Sequence, residues 1–149
     1  MILQISRAQK AVSAYEYGCD LRRIYPWPGV ADPAFWGAAI ASVRPGEATS
    51  PHSHDEEETF LIMSGKGLIT VDGERETVEA GDVIYLPRGS THTLANASTE
   101  ERLDFLTIFW GSPEARRAIR EMIDRVDKLK GAASSCCVAD PASIGRNAS

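Results

Sequence analysis

From residue 35 to residue 110 the chain is a series of short apolar runs separated by Gly-, Asp- and Pro-bearing breaks. The run 35–43 (FWGAAIASV) is apolar at both odd and even positions and rich in small residues, which fits a strand packed on two faces. Residues 58–63 form the next strand, and Ser64-Gly65-Lys66-Gly67 turns it back into 68–71. Asp72-Gly73 is a hairpin signal of the type I′ kind and leads into 74–78. Gly81-Asp82 opens Val83–Leu86, a loop at 87–90 follows, and 91–97 is a further strand. A polar stretch then precedes Leu103–Trp110 (LDFLTIFW), which is long and apolar enough to be a central strand. The pattern predicts a meander of short strands.

At Ser112 the period changes. Ser112-Pro113-Glu114 reads as a helix start, with Ser as N-cap, Pro in the first position and an acid in the first turn. Ala115, Ile119, Met122, Val126 and Leu129 then recur at helical spacing up to Gly131. From Ala132 onward no period survives, and the composition predicts a tail with no core to join. At the other end, Ile2, Leu3 and Ile5 suggest an edge strand, while 15–25 mixes aromatics with Arg22 and Arg23. Tyr25-Pro26-Trp27-Pro28-Gly29 is a stiff turn because each proline biases its predecessor toward extended geometry; its aromatics are expected over a barrel mouth or a subunit contact. The chain thus divides into an N-terminal extension with an edge strand or loop (1–30), a barrel (31–111), a helix (112–131) and a disordered tail (132–149).

Composition narrows the class. At 149 residues the chain is one domain, and 43% hydrophobic with 25% charged residues is ordinary for a globular protein. A net charge of -5 argues against nucleic acid, which demands a basic face. No apolar run approaches the length of a membrane span. The start MILQISRAQK lacks a basic segment followed by an apolar core, so a cytoplasmic location is expected. Cys19, Cys136 and Cys137 are an odd set, read as reduced bystanders and not as a disulfide framework.

The chemistry concentrates in 46–96, which holds all 3 histidines. In extended chain, residues two apart point the same way, so His52 and His54 can reach one ion. Glu58 keeps their parity, and His92 must arrive from a neighbouring strand of a closed sheet. Imidazole suits Zn, Cu, Fe and Ni, and the carboxylate keeps Mn in reach; the expected cofactor is one divalent transition metal, Zn, Mn, Fe or Ni. Four protein ligands would leave positions open for a small substrate or O₂. Alternation places Phe60 and Ile62 on the Glu58 side, and Leu94 and Asn96 on the His92 side, as a largely apolar pocket. Tyr85, Arg88, Thr91, Arg23 and Tyr25 are the residues considered for holding a charged substrate.

Two spaced patterns carry a resemblance. Gly46, His52, His54, Glu58 and Gly65 are separated by five, one, three and six residues; Gly81, Pro87, Gly89, His92 and Asn96 are separated by five, one, two and three. In this the chain resembles the cupins, whose two motifs have these residues at these spacings. The resemblance implies an all-β fold, a double-stranded β-helix or jelly-roll barrel with the ion inside one end, here followed by a C-terminal α-helix. It implies a metal-dependent enzyme acting on a small polar metabolite by isomerisation, rearrangement or oxygenation, the intact ligand set favouring an enzyme. The alternative is a non-catalytic ligand-binding cupin module or the partner subunit of a larger enzyme. A transcription factor is disfavoured, since no helix-turn-helix or basic patch accompanies the barrel. HDEEETFLIMSGKGLITVDGE, GDVIYLPRGSTHTLAN and LDFLTIFW are further similar to cupins fused to or encoded beside methionyl-tRNA-synthetase-like enzymes, which implies N–N bond formation (hydrazine synthesis) with a synthetase-like partner. Apolar surface beyond what one small barrel can cover predicts a two-fold homodimer.

Overall fold

The computed structural model describes residues 3–135, with side chains through Lys128. A 3₁₀ turn at Ala8–Lys10 precedes β1 (Ala14–Glu16), β2 (Cys19–Tyr25), β3 (Trp36–Val43), β4 (Glu57–Ser64), β5 (Lys66–Val71), β6 (Glu74–Glu79), β7 (Val83–Leu86), β8 (His92–Asn96) and β9 (Leu103–Trp110), and α1 covers Pro113–Ser135. The strands form a six-stranded sheet in the order β1-β2-β3-β9-β4-β7 and a three-stranded sheet in the order β6-β5-β8, every pairing being antiparallel. Val43, Phe60, Ile62, Leu103 and Phe105 of the larger sheet share one buried cluster with Ile69, Val78 and Leu94 of the smaller. This is a double-sheet jelly-roll barrel with a helix after its last strand.

The period-two pattern explains which residues meet inside. Glu58, Phe60 and Ile62 of β4 are buried, as are His92, Leu94 and Asn96 of β8 and Leu103, Phe105 and Thr107 of β9. Asp72 and Gly73 both take positive φ, as the tight hairpin between β5 and β6 demands. The Ser112 hydroxyl accepts from the Ala115 N–H at 3.2 Å, capping α1.

Two expected boundaries are corrected. The 1–30 segment is not an appendage: β2 pairs along β3 inside the six-stranded sheet, with β1 as its edge, while Leu3 and Ile5 are exposed and outside any strand. The signal was weak because the inward positions of β2 are Cys19, Leu21 and Arg23, and a cation at every-other-residue spacing hides the apolar alternation. The helix also passes Gly131 and runs to Ser135, because Ala132 and Ala133 are strong helix formers and one interior Gly costs only about 1 kcal/mol. The rest of the expected tail, with Cys136 and Cys137, lies outside the described residues. Residues 116–135 belong to a unit of their own, with Met122, Ile123 and Val126 exposed along it. No described helix is long and apolar enough to cross a membrane.

An ion-pair network fastens β2 to the barrel. Asp20 accepts from Arg44 Nε and Nη2 at 3.1 and 2.8 Å and from Arg102 Nη1 at 2.8 Å, and these hydrogen bonds hold its carboxyl down at about 2, against an ordinary 3.8. A depressed carboxyl contributes stability that is present above the unfolded value and fades as pH falls through the folded one. The melting-temperature gap between wild type and Asp20→Asn should therefore narrow as pH drops from about 4 to about 2. A gap constant over that window would show that the network contributes nothing.

Candidate metal centre

Backbone pairing brings the histidines together. His52 forms an isolated antiparallel bridge with His92, their N–H groups donating to each other's carbonyls at 3.3 and 3.0 Å. The two rings stand 4.6 Å apart between centroids, and the His54 ring lies 5.6 Å from His52 and 5.2 Å from His92. His54 is fixed by the Gly89 N–H, which donates to its carbonyl at 2.9 Å. Ligand atoms of the three imidazoles all lie within 4.8 Å of one another. Glu58 stands against two of them: its Oε2 is 2.9 Å from His54 Nε2 and 3.4 Å from His92 Nε2.

Each ring is oriented by its other nitrogen. Nδ1 of His52 lies 2.8 Å from the Ser50 carbonyl, Nδ1 of His54 is 3.2 Å from the Glu56 carbonyl, and Nδ1 of His92 is 3.1 Å from the Ser90 carbonyl. A carbonyl oxygen only accepts, so these contacts favour hydrogen on Nδ1, which would leave the Nε2 lone pair for an ion. Backbone carbonyls that set the tautomer in this way are the usual support of metal-binding imidazoles. At His92 the consequence is visible: Nε2 is buried, has no hydrogen-bond partner and faces a carboxylate oxygen. A cation between these nitrogens and the carboxylate would satisfy both, so the residues present fit a divalent ion.

Glu58 is tuned for the same charge. Burial pushes its carboxyl up, but contacts with His92, Thr107 and His54 outweigh this and leave it below the usual carboxylate range. The Thr107 hydroxyl donates to Oε1, leaving Oε2 toward the imidazoles. The group is an anion at neutral pH despite its burial.

Beside the histidines opens a cavity of about 240 Å³. Phe60, expected in the pocket, lines it, and so does Arg23. The other expected pocket residues do not. Ile62 and Leu94 are packed into the core. Asn96 is a clasp, its Nδ2 donating to the carbonyls of Val43, Arg44 and Glu101. Tyr85 points outward and stacks on Trp110. Arg88 ties two loops by donating to the carbonyls of Asp55 and Gly111. Thr91 is exposed, and Tyr25 packs on Trp36.

Sequence reasoning missed most of the walls. Tyr17, Cys19 and Leu21 line one side, Thr49 and Glu56 another, and Thr107, Phe105 and Phe109 a third. The floor is β3, whose inward residues are Gly37, Ala39, Ala41 and Val43. A Cβ on Gly37 would meet the Phe109 ring at 2.4 Å, so glycine is what lets that ring lie over the strand. Small residues at alternate positions of an otherwise apolar strand were the available sign of a hollow.

The cupin-domain family (Cupin_2) matches residues 39–109. The crystal structure of a cupin 2 conserved barrel domain protein from Salinispora arenicola superposes with a TM-score of 0.68 at 30% identity, covering 80% of this chain and 99% of the other. The chain belongs to the cupin superfamily. A dimethylsulfoniopropionate lyase, DddW, from Ruegeria pomeroyi is 36% identical over 53 residues, 36% of this chain and 35% of the lyase. An oxalate-binding protein from Thermotoga maritima is 31% identical over 71 residues, 47% of this chain and 58% of that protein. Dioxygenases also occur among the relatives. The chain spans about half the length, or less, of the curated relatives it matches.

Proposed function

We propose that this protein is a metal-dependent cupin enzyme that transforms a small polar metabolite by isomerisation, rearrangement or oxygenation, with His52, His54, His92 and Glu58 holding one Zn, Mn, Fe or Ni ion. The observation that carries the reading is the buried, unpartnered Nε2 of His92 facing Glu58 Oε2. An ion bound there supplies Lewis-acid polarisation of a substrate oxygen or a binding place for O₂. The protein's own groups do the rest. The Ser50, Glu56 and Ser90 carbonyls keep hydrogen on the outward ring nitrogens, and Thr107 keeps one Glu58 oxygen engaged so that the other faces inward. Phe60, Phe105 and Phe109 give the cavity apolar walls.

The test is elemental analysis of the purified chain, followed by chelation and reloading with each of the four ions. About one equivalent of a transition metal is expected. A chain that takes up none of the four overturns the proposal.

A narrower form of the proposal is an N–N bond-forming rearrangement beside a synthetase-like partner, supported by the resemblance of the segments around Glu58, His92 and β9. Release of a hydrazine product from an aminoacylated N-hydroxylamine checks it, and an untouched substrate rejects it. The second reading, a ligand-binding module, is favoured by the likeness to a protein named for binding oxalate; saturable binding without turnover in the metal-loaded chain would select it.

A two-fold homodimer belongs to the same proposal. Leu61, Met63, Val83 and Tyr85 stand exposed on β4 and the edge strand β7, where apolar edges invite pairing. Light scattering at micromolar concentration should give twice the chain mass, and a monomer refutes the dimer.

A further inference from the structure

We infer that the cavity takes a small monocarboxylate with a compact apolar body, and that Arg23 is the residue selecting it. This rests on the metal-dependent reading of the site and deepens it by naming the substrate class. Cys19, Leu21 and Arg23 alternate along β2 and all three line the cavity, Cys19 buried and Arg23 at the exposed end. Arg23 is the single Lys or Arg among the lining residues, whose other charged members are Glu56 and Glu58 with the neighbouring His52 and His54. The guanidinium is the one group of that lining that offers an anion a forked pair of donors, so an anionic group is held at that end. The remainder of the molecule then points at the imidazoles.

The register gives this arrangement a scale. Arg23 pairs with Ala39, Ala39 with Thr107, and Thr107 with Phe60. Three strand spacings separate the arginine from the ligand-bearing strand, about 14 Å along the sheet, and the small side chains of Ala39 and Ala41 leave the interval open. A cavity of about 240 Å³ walled by Leu21, Phe60, Phe105 and Phe109 suits a body no larger than a substituted ring, below the usual range of about 300–1,000 Å³ for ligand sites. Arginine offers a forked donor set that matches a carboxylate with two hydrogen bonds.

Arg23 already holds a carboxylate. Its Nη2 lies 2.5 Å from Glu16 Oε2, in a pair whose side chains are 51% and 37% exposed. Exposed pairs of this kind are weak, so a ligand carboxylate can replace Glu16 while conserving the bond. Glu16 thereby becomes a competitor for the arginine. Removing it should strengthen ligand binding, an outcome that a purely structural Arg23–Glu16 bridge would not produce. Both residues lie before residues 39–109, so the selectivity sits outside the family-matched segment.

The experiment is calorimetric titration of the 149-residue chain, metal-loaded and metal-free, with benzoate and its neutral isostere benzamide. Wild type should bind benzoate about tenfold or more tighter than benzamide. Arg23→Gln should reduce benzoate to the benzamide level, Arg23→Lys should restore part of it, and Glu16→Gln should tighten benzoate alone by a few-fold. Equal benzoate affinity in wild type, Arg23→Gln and Glu16→Gln at full metal content overturns this inference and leaves the enzyme reading standing. Arg23-dependent benzoate binding in a chain that takes up no metal sinks the enzyme reading and supports the anchor. Benzoate and benzamide binding alike, or neither binding, also overturns it.

Discussion

His54→Ala should lose the bound ion and reduce turnover by about 10²–10⁴-fold, because Lewis-acid stabilisation is worth several kcal/mol and each 1.36 kcal/mol is tenfold in rate. The side chain is 23% exposed, so its removal leaves little buried void and the metal-free variant should melt close to metal-free wild type. Activity and stability then part company. Thr107→Val offers a graded companion: it removes the hydroxyl donating to Glu58 Oε1 while leaving every imidazole in place. Loss of a supporting hydrogen bond of this type costs about 10–100-fold in metal affinity, so Thr107→Val should fall between wild type and His54→Ala. Competitive metal titration and differential scanning calorimetry read the two quantities separately. If His54→Ala keeps full activity toward an identified substrate, the ion is not catalytic; if its melting temperature falls in step with ligand binding, the ion is a structural staple.

What the sequence could and could not reveal follows from which information is local. The histidine cluster was legible because two-residue spacing dictates a shared face and Gly89, Ser90 and Pro87 mark the turn that returns His92 to it. Period two also placed Glu58, Phe60 and Ile62 on one face, and His92, Leu94 and Asn96 on another, as the burial pattern has them. What alternation does not encode is depth along a strand. Phe60 borders the cavity while Ile62, two residues on, is core; His92 reaches the imidazoles while Asn96, four residues on, clasps loop carbonyls. Tyr85 failed for a simpler reason: it pairs with Thr59, an outward position of β4, so it never had access to the interior. The β2 wall was hidden because Cys19, Leu21 and Arg23 serve a partly polar hollow and do not display a uniform apolar stripe.

Leu94→Ala tests this distinction between face and depth, with the second large effect. Leu94 is fully buried, and its backbone is held on both sides by Thr49, whose N–H donates to the Leu94 carbonyl at 3.0 Å and whose hydroxyl accepts from the Leu94 N–H at 2.8 Å. A fixed backbone cannot collapse into the space the side chain leaves. On β5 it pairs with Ile69, and two residues away Gly67 is where a Cβ would meet Leu94 Cδ1 at 3.1 Å and Leu103 Cδ2 at 2.8 Å, so that glycine is what admits the two leucines and has no side chain to fill the void. The substitution should therefore cost about 3–5 kcal/mol, near the upper end for buried Leu→Ala. That is a large share of the 5–15 kcal/mol typical of whole domains, and about 10 °C in melting temperature at this chain length. Metal affinity and benzoate affinity, measured well below the transition, should fall far less than stability does, since the substitution leaves every imidazole and both Leu94 backbone bonds to Thr49 in place. Phe60→Ala is the contrast, because Phe60 belongs both to the core cluster and to the cavity wall and should weaken stability and benzoate binding together. A Leu94→Ala protein that keeps its wild-type melting temperature but loses ligand binding would return Leu94 to the pocket and remove it from the core.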